Sequence, residues 1–416
     1  MIRRFTRLSI LLLTTLAGTG CIGTDDSAHN DNAHDDNASR PDDTLDAGSP
    51  VKVEDAARAS LPFTPSNLPP DVSLAPSGDW VFNSKTCSGV SGRPVVEVDG
   101  TTGTVSCGLN KQEGGYIFKT IKQTDATYGE LTTALFITNN LVIEPNTTVY
   151  FTGDRPVIIV ALGTAKIEGT IRASVHRTHM KVGNAGGFDG TSDRSKGNGP
   201  GGGGPGLPGS GAGGGGHCGV GGADVSAAGG KSYGSAANVP LLGGSAGGSG
   251  AGLPSGAGGG AVQIVSATSI EVSGLGAISV AGGGGGPGRS GGGAGGSILL
   301  EAPIVSVMGT LAANGGGGGE SGQWNDGSPG SADALLAKGG VASGGPAHAA
   351  GGDGAAGPSI DGFPGASVSD KHGGGGGGAG RIRINTTSGS ATIGSAAVIS
   401  PFLTTRCATQ GKIAAR

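Results

Sequence analysis

Short stretches in which apolar residues alternate with small or polar ones recur from residue 156 onward. Residues 260–281 contain VQIVS, IEVSG and AISVAG, and residues 297–314 contain ILLEA, VSVMG and TLAANG. A period of two is typical of half-buried strands. Similar sets of three strands are predicted at 156–175 and, more weakly, at 381–400. Each unit is too short to bury its own apolar face, so the copies are expected to stack on one another.

The repeated sets of strands predict an all-β fold, a short β-solenoid (β-helix-like) over residues 131–401. The segments between the copies are 176–259, 282–296 and 315–380, and each leaves after a third strand and returns before a first one. Insertions of this kind map to one side of a solenoid. We therefore expect the three excursions to emerge from one edge and to lie side by side.

Glycine dominates these excursions, because 72 of the 91 glycines lie between Gly183 and Gly380. One interpretation is a set of flexible linkers. The other is a bundle of polyglycine II helices, which lack Cβ atoms and can therefore approach closely and hydrogen-bond laterally. Proline and bulky residues at intervals, as in PGGGGPGLPG, favour the bundle. Collagen is excluded because no strict three-residue glycine period is sustained.

Three large side chains lie inside the excursions: Phe188, Trp324 and Phe363. We expect each to fill a gap beneath a glycine loop. The alternative is that they form binding tips, since exposed apolar patches mark contact sites.

The chain begins with a predicted export signal. In residues 1–20, three arginines precede an apolar core, as in a secretory signal peptide. Cys21 follows small residues and is expected to be lipid-modified, although the lipobox of bacterial lipoproteins favours Leu at the place of Gly18. Ordinary signal cleavage is the alternative. Residues 21–60 are acidic and poor in apolar side chains, which predicts a disordered tether.

Residues 61–130 predict a small N-terminal β module. The strands PVVEV and TVSC form a hairpin through the turn DGTTG. Cys87 and Cys107 lie at its two ends, a spacing suited to a disulfide in an exported protein.

The remaining cysteines are Cys218, in the first excursion, and Cys407, in a tail over 402–416. If Cys21 carries lipid, the other four allow three pairings. Pairing by proximity in sequence joins Cys218 to Cys407.

Charge and motif content argue against several classes of protein. The formal net charge is −4, and no basic patch is interleaved with aromatic residues, so nucleic-acid binding is not expected. The histidines at 176, 179 and 217 lack zinc-like spacing. No metal site, cofactor or catalytic residue is predicted. A β-helix polysaccharide-active enzyme would need clustered carboxylates, and the charged residues of the four copies are few: Lys166, Glu168, Arg172, Glu271, Glu301, Arg381 and Arg383.

These features together resemble a group of Gly-rich exported lipoproteins of myxobacteria and related bacteria. The resemblance rests on Cys21, the opening LPFTPSNLP, the Cys87/Cys107 hairpin, the stretch RPVIIVALGTAKIEGTIRAS and the β-units followed by GGGGG. It covers nearly the whole chain after residue 60 and implies an exported, lipid-anchored protein at the outer membrane or cell surface. In composition, the glycine runs also resemble regions of phage adhesins, antifreeze proteins and a receptor-kinase ectodomain that form polyglycine II bundles.

The sequence favours a non-catalytic, lipid-anchored surface protein with a structural or adhesive role, whose partner is a glycan, a matrix or another cell surface. The alternatives are an ice- or glycan-binding surface protein and a β-helix polysaccharide-active enzyme. No regular row of threonine, which ice binding would favour, is visible in the glycine-rich part.

Overall fold

The computed structural model describes residues 60–415, except 76–77, 84–94, 108–109, 113, 175–181 and 344–347. Every regular element within these ranges is a strand, so the prediction of an all-β fold is confirmed. The predicted signal peptide, Cys21 with its predicted lipidation, and residues 22–59 of the predicted tether lie outside the described residues, as does Cys87.

Most of the strands belong to three sheets. The first sheet has the order β24 (Ala408–Lys412), β21 (Arg381–Thr386), β16 (Ser297–Glu301), β13 (Ala261–Ser266), β10 (Val157–Ala161), β7 (Gly129–Thr138) and β6 (Ile117–Asp125). The second has the order β2 (Trp80–Phe82), β8 (Leu141–Ile143), β11 (Thr164–Ile167), β14 (Ser269–Val272), β17 (Ile304–Val307) and β22 (Thr392–Ile393).

The third sheet has the order β23 (Val398–Ser400), β18 (Thr310–Ala312), β15 (Ala277–Ser279), β12 (Thr170–Arg172), β9 (Thr148–Thr152), β3 (Val95–Asp99), β4 (Val105–Cys107) and β5 (Asn110–Gln112). Two short antiparallel pairs complete the described strands: β1 (Phe63–Thr64) with β25 (Ala414–Ala415), and β19 (Ser367–Val368) with β20 (Lys371–His372).

The chain visits the three sheets in a fixed rotation. Strands β7, β8 and β9 belong to the first, second and third sheet, and the same order recurs in β10–β12, β13–β15, β16–β18 and β21–β23. Successive sets pair in parallel, so that Val157 lies opposite Val262, and Ile298 lies opposite Val262 and Ile382. The twelve strands predicted in the four copies are all present. A fifth set, β7–β9, precedes them in register.

One apolar core fills the space between the three sheets. In each set, alternate side chains point inward, as Ile264, Ile270 and Ile278 do from β13, β14 and β15. Because the sets are in register, equivalent side chains stack on one another. Each fully buried aliphatic side chain contributes roughly 1.5–3 kcal/mol relative to exposure. Stacking therefore supplies the burial that one set cannot provide alone.

The central strands of the first sheet are buried on both faces. All residues of β10, β13 and β16 are buried, and VIIVA in β10 is a continuous apolar run. Such runs are typical of parallel strands covered on both sides. Leu135, Ile158 and Leu299 form the outer face, where Leu61 and Phe63 pack against them.

The strands of residues 61–130 join the three sheets. Strand β2 pairs with the second sheet, β3 with the third, and β6 with the first. The predicted hairpin is confirmed, with Val98 opposite Val105. The segment after residue 402 likewise supplies β24 to the first sheet and β25 to the pair with β1. Both segments join the sheets because their apolar residues cover surface that the repeated sets leave open.

Candidate binding surface at the end of the glycine-rich block

The three intervening segments, β12 to β13, β15 to β16 and β18 to β21, pack into one body that we call the glycine block. Each leaves a strand of the third sheet and returns to a strand of the first. Backbone hydrogen bonds link all three: Gly215 N–H donates to Gly292 O (2.8 Å), and Gly292 N–H donates to Gly375 O (2.9 Å). Gly375 N–H in turn donates to Ala212 O of the first segment (2.9 Å). The segments therefore lie side by side.

Hydrogen bonding within the block has a period of three residues. The amides of residues 291, 292 and 293 donate to runs 243–250, 373–380 and 281–286, respectively. The next two amides, of residues 294 and 295, return to the first two of these runs. Consecutive residues therefore point in three different directions, and every third residue points the same way.

The central runs are enclosed on all sides. Run 290–296 donates to three neighbouring runs, and its carbonyl groups accept hydrogen bonds from three others: 211–219, 255–260 and 313–320. Every residue of run 290–296 is buried. Six neighbours around one backbone leave room only for very small side chains, which accounts for the five glycines of this run and for the small residues Ser290 and Ala294 at its other two positions. This lateral hydrogen bonding and burial contradict the flexible-linker interpretation for the described part of the block.

Additional atoms on these glycines would meet neighbouring backbone. A methyl group on Gly284 would lie 1.8 Å from Gly327 O, and one on Gly317 would lie 2.2 Å from Lys338 O. Both distances are far below van der Waals contact, and both oxygens belong to backbone that cannot rotate away.

A disulfide fastens the block to the last strand of the first sheet. Cys218 of the first segment is bonded to Cys407, which precedes β24, as pairing by proximity predicts. The amides of Cys218 and Gly219 also donate to Ala379 O at the base of the third segment (3.0 Å each). Cys107 at the end of β4 is buried and disulfide-bonded, and its predicted pairing with Cys87 stays a prediction.

Removal of the Cys218–Cys407 disulfide is expected to destabilise the protein by about 2–5 kcal/mol, because the closed loop spans 189 residues. Equilibrium unfolding in urea of a Cys218→Ala/Cys407→Ala variant checks this against the wild type without any reductant. An unchanged unfolding midpoint would contradict the expectation.

A buried histidine lies beside this disulfide. His217 Nδ1 is 2.9 Å from Gly295 O, and since a carbonyl group only accepts, Nδ1 carries the proton. The ring stacks on Tyr233 (4.7 Å between centroids), and Nε2 is buried without a hydrogen-bond partner among the described residues. Burial, reinforced by the nearby Arg381 cation, lowers the pKa of His217 to about 3. Burial likewise raises the pKa of Tyr233. This histidine is a neutral packing group.

The turns of the block gather at the end remote from the sheets, which we call the distal end. Run 281–286 begins beside β15 and run 290–296 ends at β16, so the turn between them, 287–289, is remote from both strands. Gly288 N–H donates to Gly322 O, and Gly286 N–H donates to Pro254 O. Turns from all three segments lie at this end: 207–210, 223–226, 251–254, 287–289, 320–326, 341–343 and 367–372.

The distal end carries exposed apolar side chains. Four of them stand more than half exposed: Leu207 (55%), Val225 (74%), Trp324 (79%) and Val341 (71%). The expectation that Trp324 fills a gap is therefore wrong. Phe363 is 41% exposed. Phe188 is half-buried and lines an open groove of about 630 Å³ with Asp154 and Asp189.

A buried carboxylate holds the most exposed of these turns. Glu320 Oε1 accepts hydrogen bonds from the amides of Trp324 (3.0 Å) and Asn325 (2.8 Å), and Oε2 accepts one from the amide of Ser343 (2.7 Å). Burial raises the pKa of Glu320, but these hydrogen bonds outweigh it and hold the pKa below its usual value. The Trp324 turn is therefore fixed at its base.

Glu301, one of the few charged residues of the four copies, accepts hydrogen bonds from three other residues. It accepts hydrogen bonds from Ser66 N (2.9 Å) and Ser66 Oγ (2.5 Å). Gln263 Nε2 (2.7 Å) and Asn385 Nδ2 (2.9 Å) donate to it from the adjacent strands. Glu301 thus ties the N-terminal segment to three strands of the first sheet and has no lone pair left for acid–base chemistry.

The other charges of the repeated sets are also paired or exposed. Lys166 forms an ion pair with Glu168 (3.0 Å) on the outside of the second sheet, opposite Glu271 in the register. Arg381 donates to Tyr233 O and Gly234 O.

One cluster at the distal end has the residue types of a catalytic triad but not its geometry. Ser367 Oγ (2.9 Å) and Asp224 Oδ1 (3.2 Å) both approach Nδ1 of His372. A triad needs the nucleophile and the carboxylate on opposite ring nitrogens. The cluster instead fastens the β19–β20 pair to the turn at 223–226.

The described residues contain no group of three or more His, Cys, Asp or Glu side chains placed to hold a metal ion. His176 and His179 lie outside the described residues. No helix long and apolar enough to cross a bilayer occurs in the part of the chain that the structure describes. No protein-family model, curated protein or solved structure matches this chain.

Proposed function

We propose that this protein is a non-catalytic adhesive protein of the cell surface, whose contact surface is the distal end of the glycine block. The observation that carries the proposal is the presence of exposed Leu207, Val225, Trp324 and Val341 on turns of one end of a hydrogen-bonded body. Aromatic and aliphatic side chains on a fixed scaffold lose little entropy on binding, and exposed apolar groups mark contact sites.

Two finer aspects of the architecture belong to the same proposal. We infer that the five sets of three strands form a β-solenoid, because the chain returns to the same sheet after every third strand. We also infer that the block is a polyglycine II bundle, because its lateral hydrogen bonds rotate with a three-residue period. In this arrangement the solenoid supports the bundle, and the bundle supports the turns.

Ice binding is disfavoured by charge. The outer runs of the block expose Lys231, Lys338 and Asp361, whereas a face that binds ice is expected to be flat and uncharged. Adhesion fits such a mixed surface better, because only the turns need to make contact.

Attachment of cells that display the full-length protein tests the proposed function. A variant with serine at Leu207, Val225, Trp324 and Val341 is expected to lose most of the attachment to surfaces or to sister cells. The matched control carries serine at Leu275 and Leu335, which are equally exposed but lie outside the distal turns. Equal attachment by wild type and the distal variant, or an equal loss in the control, would refute the proposal.

The proposed location at the outer membrane or cell surface depends on Cys21, which follows the apolar segment of the predicted signal peptide. The Cys21→Ser variant is expected to move from the membrane fraction to the soluble fraction and to lose incorporation of labelled fatty acid. A lipid-modified cysteine anchors because each buried methylene contributes about 0.8 kcal/mol. A variant that remains in the membrane fraction, together with an unlabelled wild type, would contradict lipidation.

A further inference from the structure

The turn that carries Trp324 combines full display of an aromatic ring with a fixed base. The indole is the most exposed large side chain of the distal end. The backbone N–H groups of Trp324 and Asn325 both donate to the carboxylate of Glu320. Asn325 Nδ2 also donates to Val341 O (2.8 Å), which ties the turn to the neighbouring one. The ring is therefore presented without a large ordering cost on binding.

The neighbours of the ring along the turn are all hydrogen-bonding groups. Gln323 and Asp326 are exposed, and Asn325 is half-buried. The turn 321–326, SGQWND, contains neither a basic nor an aliphatic residue. A flat apolar ring flanked by amides and a carboxylate complements a sugar ring, which has an apolar C–H face and hydroxyl groups at its edge.

The base of the Trp324 turn packs against two further parts of the glycine block. The backbone N–H of Arg289 donates to Glu320 O (2.8 Å), so the turn at 287–289 lies against this one. His348 Nδ1 lies 2.6 Å from the place that a methyl group on Gly322 would occupy. These contacts support the turn from below, so the exposed indole projects from a fixed base.

We propose that the Trp324 turn binds a carbohydrate, with a sugar ring stacked on the indole and its hydroxyl groups bonded by Gln323, Asn325 and Asp326. This inference rests on the proposed adhesive function and names its ligand class. An anionic lipid or a nucleic acid fits less well, because these ligands require clustered basic side chains, which the turn lacks. Insertion into a bilayer would require a continuous apolar patch rather than one ring among polar groups.

Tryptophan fluorescence offers a selective test, because the chain has only two tryptophans. Trp80 is fully buried in the core, and Trp324 is exposed. The soluble Cys21→Ser protein is titrated with dextran, xyloglucan, galactomannan and alginate, which separate neutral from acidic sugars. At least one of them is expected to shift the emission of Trp324 to shorter wavelength and to protect it from acrylamide, while Trp80 emission stays constant and confirms the fold.

Three variants define the outcome. Trp324→Phe keeps an aromatic ring and is expected to retain binding, measured by calorimetry, within about tenfold, whereas Trp324→Ala is expected to weaken it at least tenfold, that is by about 1.4 kcal/mol or more. Leu275→Ala, outside the distal end, is expected to bind as the wild type does.

The inference is overturned if none of the four polysaccharides changes Trp324 emission, or if Trp324→Ala binds them as the wild type does. Loss of attachment in the four-serine variant without any sugar binding would leave the adhesive function standing and overturn only the ligand class. Retained attachment in that variant would overturn the adhesive function itself.

Discussion

Alanine at Gly284 or Gly317 is expected to destabilise the protein by about 3 kcal/mol each, at the upper end of the cost of an overpacked site. Their added methyl groups would lie 1.8 Å from Gly327 O and 2.2 Å from Lys338 O. Relief requires two runs to separate, which also lengthens the lateral hydrogen bonds between them: that from Gly327 N–H to Gly285 O (2.8 Å) in the first variant and that from Gly340 N–H to Gly318 O (2.8 Å) in the second. The measurement is equilibrium unfolding in urea.

Gly274→Ala is the matched control. Gly274 lies in the exposed turn between β14 and β15, and no atom outside its own neighbours lies within 4 Å of the place a methyl group would take. Alanine there is expected to be neutral or to stabilise by roughly 0.4–1 kcal/mol through the unfolded state. Equal stability of all three variants would mean that the glycine runs do not pack as observed.

Hydrogen exchange examines the same packing without any substitution. The amides of run 290–296 are buried, and each donates a hydrogen bond to a neighbouring run. We therefore expect their hydrogen-exchange rates to be as low as those of the most protected amides in the sheets. Exchange of this run at random-coil rates would contradict the observed network.

Acid is expected to destabilise the protein through His217. Its pKa is about 3 in the folded chain against 6.5 for an unperturbed histidine, so below pH 6.5 the unfolded chain binds the extra proton. The contribution of the neutral ring is therefore fully present above pH 6.5 and is lost progressively as the pH falls toward 3. At about 1.4 kcal/mol per pKa unit, the total is about 4–5 kcal/mol.

The pKa of His217 is low because its second ring nitrogen is enclosed by the protein. His217 Nε2 is buried without an acceptor, and the Arg381 cation is nearby, so an added proton is neither solvated nor paired. A His217→Gln variant cannot titrate, and its unfolding free energy is expected to fall less steeply between pH 6.5 and 3. Acidic groups elsewhere are common to both proteins, so parallel pH profiles would contradict this assignment.

The strands of the repeated sets could be predicted because their signal is local. VQIVS, ILLEA and VIIVA are each rich in β-branched or aliphatic residues; the first two follow glycine runs and the third follows Pro156, and each forms a strand. The edge from which the excursions leave also followed from sequence, since every glycine-rich segment begins after a third strand. The sequence did not mark the fifth set, β7–β9, as a copy, because no glycine run separates it from the next set.

The roles of single side chains depended on contacts between distant parts of the chain. The sequence assigned no role to Glu301, whereas the structure shows Ser66, 235 residues away, bonded to it. Trp324 looked like a gap filler, but Glu320 and Ser343 fix its turn with the ring outward. In both cases the deciding partner lies in another segment, and sequence pattern carries no information about such pairings.

The sequence by itself determined that this chain is all-β, that three-strand sets recur, and that glycine fills the segments between them. It left open whether those segments are linkers or a packed body, because glycine is compatible with both. Only the tertiary structure decided this. In it, run 290–296 is surrounded by six other runs, donates hydrogen bonds to three of them and accepts hydrogen bonds from the other three. The physical reason is that a side chain restricts the local backbone, and a sequence pattern reveals that restriction. Glycine has no side chain, so the conformation of a glycine run is set by the segments that pack against it.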